Sequence, residues 1–249
     1  TTIILTEEVA QIHLLPHNTF YTTMLKKLNR TTAGLNQLRP IKVLQFGDGN
    51  FLRGFVDWMI DILNEKTDFN GNVQVIRPLR KGRLTATDEQ DGLYHVQVKG
   101  LQHGKLFSEN RLITCVSGAI NPYTDFQEFL QSAENPDLSF IVSNTTEAGL
   151  MFNPADQNHE VLPESFPAKV TLLLYHRFKF FQGDPGKGLI LMPCELIDKN
   201  GAILKNILLQ YCALWKLPDA FIQWLTNHNT FCNSLVDRIV PGFPKETIG

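Results

Sequence analysis

The residues best placed to do chemistry lie in one short stretch, Phe46-Gly47-Asp48-Gly49-Asn50-Phe51-Leu52-Arg53. Two glycines two apart let a backbone turn sharply and let a bound group approach it closely. Asn50 is the expected N-cap of the helix that follows, whose first N–H groups suit an anion. Arg53 is the unusual residue, because a cation in a first helical turn opposes the helix dipole unless an anion is there to receive it. A pyrophosphate would be such an anion. The third glycine of a dinucleotide fingerprint is missing, however, since Leu52 stands in its place, and an ordinary strand-to-helix turn accounts for the glycines equally well.

Other polar groups fall where further strands should end. Val73, Val75 and Ile76 predict a buried strand that runs into Arg77, Arg80 and Lys81, three cations that suit either a ribose 2′-phosphate or a solvated basic loop, so both NAD and NADP stay open on the residues alone. Leu138 to Val142 predicts another strand, emptying into Ser143-Asn144-Thr145-Thr146-Glu147. Small hydroxyl and amide groups there suit either a cofactor crevice or a capped turn. Leu189 to Met192 ends on Pro193-Cys194-Glu195-Leu196-Ile197-Asp198-Lys199-Asn200-Gly201, again polar. In the last stretch Asp237 and Arg238 interrupt an apolar run, so each is expected to be paired or to meet substrate.

The elements that must position these groups alternate along the chain. A helix over Phe51 to Leu63 follows the glycine turn, and the strand at Val73 completes a βαβ unit. Between Asp91 and Val116, alternation of Leu93, His95, Gln97 and Lys99 with Tyr94, Val96 and Val98 predicts an inserted β-hairpin turning at Gly100 to Lys105. Helical spacing returns over Pro122–Ala133, Pro163–Phe181, Ala202–Trp215 and around Phe221–Leu225. The expected architecture is α/β: a Rossmann-like, doubly wound, mainly parallel sheet with an inserted β-hairpin. Residues 1–34 read as an arm without a chemical motif, and 35–249 as the dinucleotide-binding domain.

Composition narrows the class. With 23 Lys and Arg against 25 Asp and Glu, no charge excess points to nucleic acid or a membrane surface. No apolar run has the length of a bilayer span and no leader is apparent, so a cytoplasmic setting is expected. The 4 cysteines form no CxxC pair and the 7 histidines no HExxH spacing, so no metal site is expected and the thiols read as reduced and mostly buried.

Taken together, FGDGNFLRGFVDWMID, DGLYHVQVKGL, SNTTEAG, PCELIDKNG and LVDRIVPGFP resemble the mannitol dehydrogenase family of polyol-specific long-chain dehydrogenases, within it the branch acting on sugar acids. The resemblance covers Leu35 to Pro244. It implies an NAD-linked oxidoreductase reducing the ketone of D-tagaturonate to D-altronate in hexuronate breakdown. Alternatives are the sister reduction of fructuronate, a mannitol-type polyol oxidation, or a non-catalytic dinucleotide-binding module. The resemblance puts Phe46, Gly47, Gly49, Asn50, Phe51, Leu52 and Arg53 at the pyrophosphate, with Asn144 and Thr145 along the cofactor. The arginine at Arg77 fits the sugar-acid branch, which favours NAD over NADP. Leu196 stands where mannitol dehydrogenases carry a substrate-side Asn, which leaves Glu195, Asp198 and Asn200 as candidates, and Asp237 borders the substrate. The resemblance implies that the family's proton-transferring lysine belongs to a second, helical domain, which is expected to be absent here after Pro244. The expectation is therefore a nucleotide-binding fragment that does not turn over substrate alone.

Overall fold

A computed structural model describes residues 2–6, 27–35, 38–77, 86–102, 105–145, 149–236 and 238–242. Among these residues the strands form two sheets. The larger contains β2 (Ile41–Phe46), β3 (Asn72–Ile76), β6 (Val116–Ile120), β7 (Phe140–Ser143), β8 (Ile190–Pro193) and β9 (Thr230–Phe231), in the order β6-β3-β2-β7-β8-β9. Every pairing in it is parallel. This is the doubly wound arrangement predicted, because the chain steps outward from β2 to β3 and β6, then returns to start again at β7.

Continuous burial of β2 from Val43 to Phe46 fits a parallel strand covered on both faces. Leu44, Phe46, Ile76, Ile141 and Leu191 face one core, shared with α4 (Phe126–Gln131), α5 (Phe166–Phe180), α6 (Asn200–Leu214) and α7 (Asp219–His228). Val43, Val73, Val75 and Val142 face the other. That second core is closed by α2 (Val56–Lys66) and by Tyr94, Val96 and Val98 of β4 (Tyr94–Gln102).

The hairpin of β4 and β5 (Lys105–Ile113) forms in the predicted place, but it does not stand alone. β1 (Thr2–Thr6) pairs antiparallel with β4 and parallel with β10 (Ile239–Gly242), giving a separate sheet in the order β10-β1-β4-β5. Arg30 fastens the turn at 27–35 by donating to the carbonyls of Asp91, Thr114 and Val116, at 3.0, 2.9 and 2.7 Å.

Two sequence expectations need correction. Val116 is not the tail of the hairpin: it opens β6, whose register places Val116 beside Val73 and Ile120 beside Ile76. The helix after the glycine turn is not continuous either. It breaks at Phe55 (φ −120°, ψ −69°), between α1 (Asn50–Gly54) and α2, where the Phe55 N–H donates to Leu52 O at 3.3 Å in a tightened turn. Cys115, Cys194 and Cys212 are buried thiols, as expected.

Candidate functional site

The strand order reverses between β2 and β7, and ligands of doubly wound sheets bind in the crevice beyond the carboxyl ends at such a point. Gly47 leaves β2 with φ +120°, a conformation that side-chain-bearing residues rarely adopt. Its N–H donates to Ile76 O at 3.1 Å, which ties the turn to β3. Gly49 has an ordinary φ of −70°, and a Cβ there would meet nothing within 4 Å. The glycine therefore leaves open space over the backbone. Gly49, not Asn50, is the N-cap, which corrects the expected cap: Asn50 is already helical, and its Oδ1 lies 3.5 Å from Arg53 Nη2.

Two cavities flank this turn. One, of about 540 Å³, is lined by Phe46, Gly47, Gly49, Asn144, Thr145 and Met151. The other, of about 360 Å³, is lined by Asp48, Arg53, Asp57, Arg77, Asp88 and Tyr94. Both have the size of small-molecule sites. Phe51 packs against Phe55 at 5.3 Å, and Leu52 is buried in the core, so these two shape the turn from behind. The guanidinium carbon of Arg53 lies 5.2 Å from the Tyr94 ring centre, on the wall of the second cavity.

The segment after β7 is held from β8. Asn144 Nδ2 donates to Cys194 O at 2.7 Å, while Thr145 donates to Glu195 Oε1 through both N and Oγ1, at 2.9 Å each. Ser143 Oγ donates to Glu195 Oε2 at 3.1 Å. Glu195 is thus a buried support for Ser143 and Thr145, while Asn144 is held by the Cys194 carbonyl. Asn200, also buried, donates to Glu195 O, Ser234 O and Ser234 Oγ, and accepts from the N–H groups of Gly201 and Ser234. Asp198 and Leu196 are exposed. Asp237, Arg80 and Lys81 lie outside the described residues. Arg238 stacks on Trp58 and Phe55, at 4.4 and 5.4 Å.

Arg77 sits immediately beyond β3, as the spacing required. It does not meet solvent as part of a basic loop: its side chain is 12% exposed, its Nη2 donates to both carboxylate oxygens of Asp88 at 2.5 and 2.6 Å, and its Nε is 3.4 Å from Asp48 Oδ2. Sequence reasoning missed both acids, because Asp88 reaches Arg77 from α3 (Ala86–Glu89), a contact that exists only once the chain is folded.

Two buried ionisable groups were also missed. Asp57 is fully buried in the first turn of α2, accepting from Tyr94 OH at 2.8 Å, with Gln45 Nε2 at 3.5 Å. Burial pushes its carboxyl up to about 7, against the pull of the Tyr94 and Gln45 hydrogen bonds. The signal in the sequence is a charge on the helix face that carries Val56 and Ile60. Lys169 of α5 is buried too, donating to Glu164 O at 2.6 Å and Tyr123 OH at 3.1 Å, beside the larger cavity.

Comparison with known proteins bears on the family and the fold. The chain is 51% identical over 210 residues to an altronate oxidoreductase of Yersinia enterocolitica, which covers 84% of this chain and 44% of that protein. It is 46% identical over 224 residues to an altronate oxidoreductase of Bacillus subtilis, covering 90% of this chain and 47% of that protein. The chain thus spans about half the length of the curated relatives it matches. Among solved structures, mannitol 2-dehydrogenase of Pseudomonas fluorescens, in a ternary complex with NAD and D-mannitol, superposes with a TM-score of 0.69 at 19% identity, over 88% of this chain and 48% of that one. A substrate-free D-sorbitol dehydrogenase gives 0.66 at 23% identity, over 85% and 47%. These two share the fold. The description "Mannitol dehydrogenase Rossmann domain" matches residues 41–247, and on that match the chain belongs to the mannitol dehydrogenase family.

Proposed function

We propose that this chain is the dinucleotide-binding half of an NAD-linked oxidoreductase that interconverts D-tagaturonate and D-altronate. The observation that carries the reading is the open turn at the strand-order reversal, in a chain about half identical to proteins named altronate oxidoreductase. The residues present fit a dinucleotide. Gly47 supplies the left-handed turn, Gly49 the uncovered backbone, and Asn144 and Thr145 polar groups already fixed in direction.

Each part has a physical role in this reading. The amides of the turn and Arg53 would hold the two linked phosphates, with Phe46, Asn50, Phe51 and Leu52 shaping the turn around them. Asn144 and Thr145 would line the nicotinamide and its ribose. Bound NAD would supply the hydride acceptor, or in its reduced form the donor. Glu195 holds Thr145 and the Cys194 carbonyl holds Asn144, so in this reading little ordering is needed when cofactor enters. Asp198 and Asp237 remain candidates for the substrate side, whereas Asn200 and Glu195 act through the loops they hold. Ketone reduction also needs an acid to protonate the developing alkoxide. We assign that acid to the part of the relatives' length that this chain does not span, so the chain alone binds cofactor without turnover.

The substrate assignment is tested by joining this chain to the remaining half of a relative and comparing rates on tagaturonate, fructuronate and fructose. Preference for tagaturonate is expected. A clear preference for fructose would remove the sugar-acid reading.

A further inference from the structure

The position directly after the second strand of a dinucleotide fold decides between a free ribose and a 2′-phosphorylated one. An acid there favours the free 2′-hydroxyl, whereas an arginine there ordinarily favours the phosphate. Arg77 follows β3 at this position, so its residue type alone leaves NADP open. Its surroundings point the other way. The Nη2 group is engaged by both oxygens of Asp88, and Asp48, between the two glycines of the turn, lies 3.4 Å from Nε. All three line the smaller cavity.

We propose that Asp88, by holding the Arg77 guanidinium, selects the unphosphorylated dinucleotide, an inference that rests on the dinucleotide reading above. A 2′-phosphate entering this cavity would have to displace a carboxylate from Arg77 and then lie beside it, with like charges in contact. A 2′-hydroxyl donates a hydrogen bond to a carboxylate and meets no such repulsion. Arg77 has a second task in this arrangement. Asp48 places a negative charge in the middle of a turn meant for two phosphates, and the guanidinium offsets it. Arg77 is therefore needed for either cofactor, while Asp88 is needed for the choice between them.

The experiment is a fluorescence titration of NADH and NADPH into this chain and its Asp88→Asn, Asp88→Glu and Arg77→Ala variants, each first checked for a cooperative thermal transition. Wild type is expected to prefer NADH. In Asp88→Asn the ratio of the NADPH to the NADH dissociation constant should fall about tenfold or more, the scale of one charge-assisted contact. Asp88→Glu should keep the wild-type preference, and Arg77→Ala should weaken both cofactors without favouring NADPH. An unchanged ratio in Asp88→Asn, or tighter NADPH binding in Arg77→Ala, overturns the inference while leaving dinucleotide binding intact. Should Asp88→Asn fail to fold, the Arg77→Ala result decides alone. If wild type binds neither cofactor, the dinucleotide reading itself fails.

Discussion

Thr145 gives both of its donors to one oxygen of Glu195: backbone N and Oγ1 each lie 2.9 Å from Oε1. Because Glu195 follows β8 and Thr145 follows β7, this pair fixes the distance between two strand ends that border the crevice. Glu195→Ala would leave the Thr145 amide without its acceptor in a half-buried loop, and the Ser143 hydroxyl likewise. NADH affinity is expected to fall about tenfold, with a lower Tm, while Glu195→Gln keeps one acceptor and most of the affinity. Titration of both variants checks this. Unchanged affinity in Glu195→Ala would mean the pair does not shape the crevice.

Asp57 gives a pH dependence. Its folded value near 7 lies above the ordinary 3.8, so the folded state holds this proton more tightly than the unfolded chain does. The resulting stability is present in full below about pH 4 and is lost as pH rises through 7. Asp57→Asn keeps an acceptor for Tyr94 OH but removes the titration. Relative to Asp57→Asn, wild type should lose on the order of 2–3 kcal/mol between pH 5 and pH 8, read by urea denaturation at both values. Parallel pH dependence in the two proteins would contradict the burial argument.

Arg177 is a purely structural cation. Its guanidinium, buried in α5, donates to the carbonyls of Lys187, Ala133, Asn135 and Leu138, at 2.8, 2.6, 2.9 and 3.3 Å. Burial lowers its pKa to about 10, still well above neutrality. Arg177→Met would strand these acceptors and should cost about 3–5 kcal/mol, measured by denaturation, without altering cofactor preference. A loss under about 1 kcal/mol would show that water replaces the guanidinium at no penalty.

Much of this molecule is legible in its sequence, for reasons that differ by region. The strand, turn and helix at Ile41 to Leu63 can be read because hydrophobic period changes abruptly across two glycines. The break at Phe55 cannot, since Phe51, Phe55 and Met59 keep helical spacing through it. β6 was hidden because Ser117, Gly118 and Ala119 supply no apolar alternation, and its partner Val73 is distant in sequence. β1 was hidden because its partners, β4 and β10, are distant in sequence. At the site, residue types alone mark Gly47, Gly49, Arg77, Asn144 and Thr145. Which acid holds Arg77, and that Glu195 supports Thr145, depend on side chains brought together by folding.

Gly49 tests the central claim most directly, because a Cβ there meets nothing in the protein and the backbone φ is already ordinary. The measurement is NADH binding by fluorescence titration to wild type and Gly49→Val, alongside their thermal transitions. We expect saturable binding to wild type, an unfolding midpoint that differs little between the two, and at least about a tenfold loss of affinity in the variant, whose new side chain fills the space a pyrophosphate needs. Equal NADH binding by the two proteins, or no binding by wild type, would contradict the assignment of this turn as the dinucleotide site.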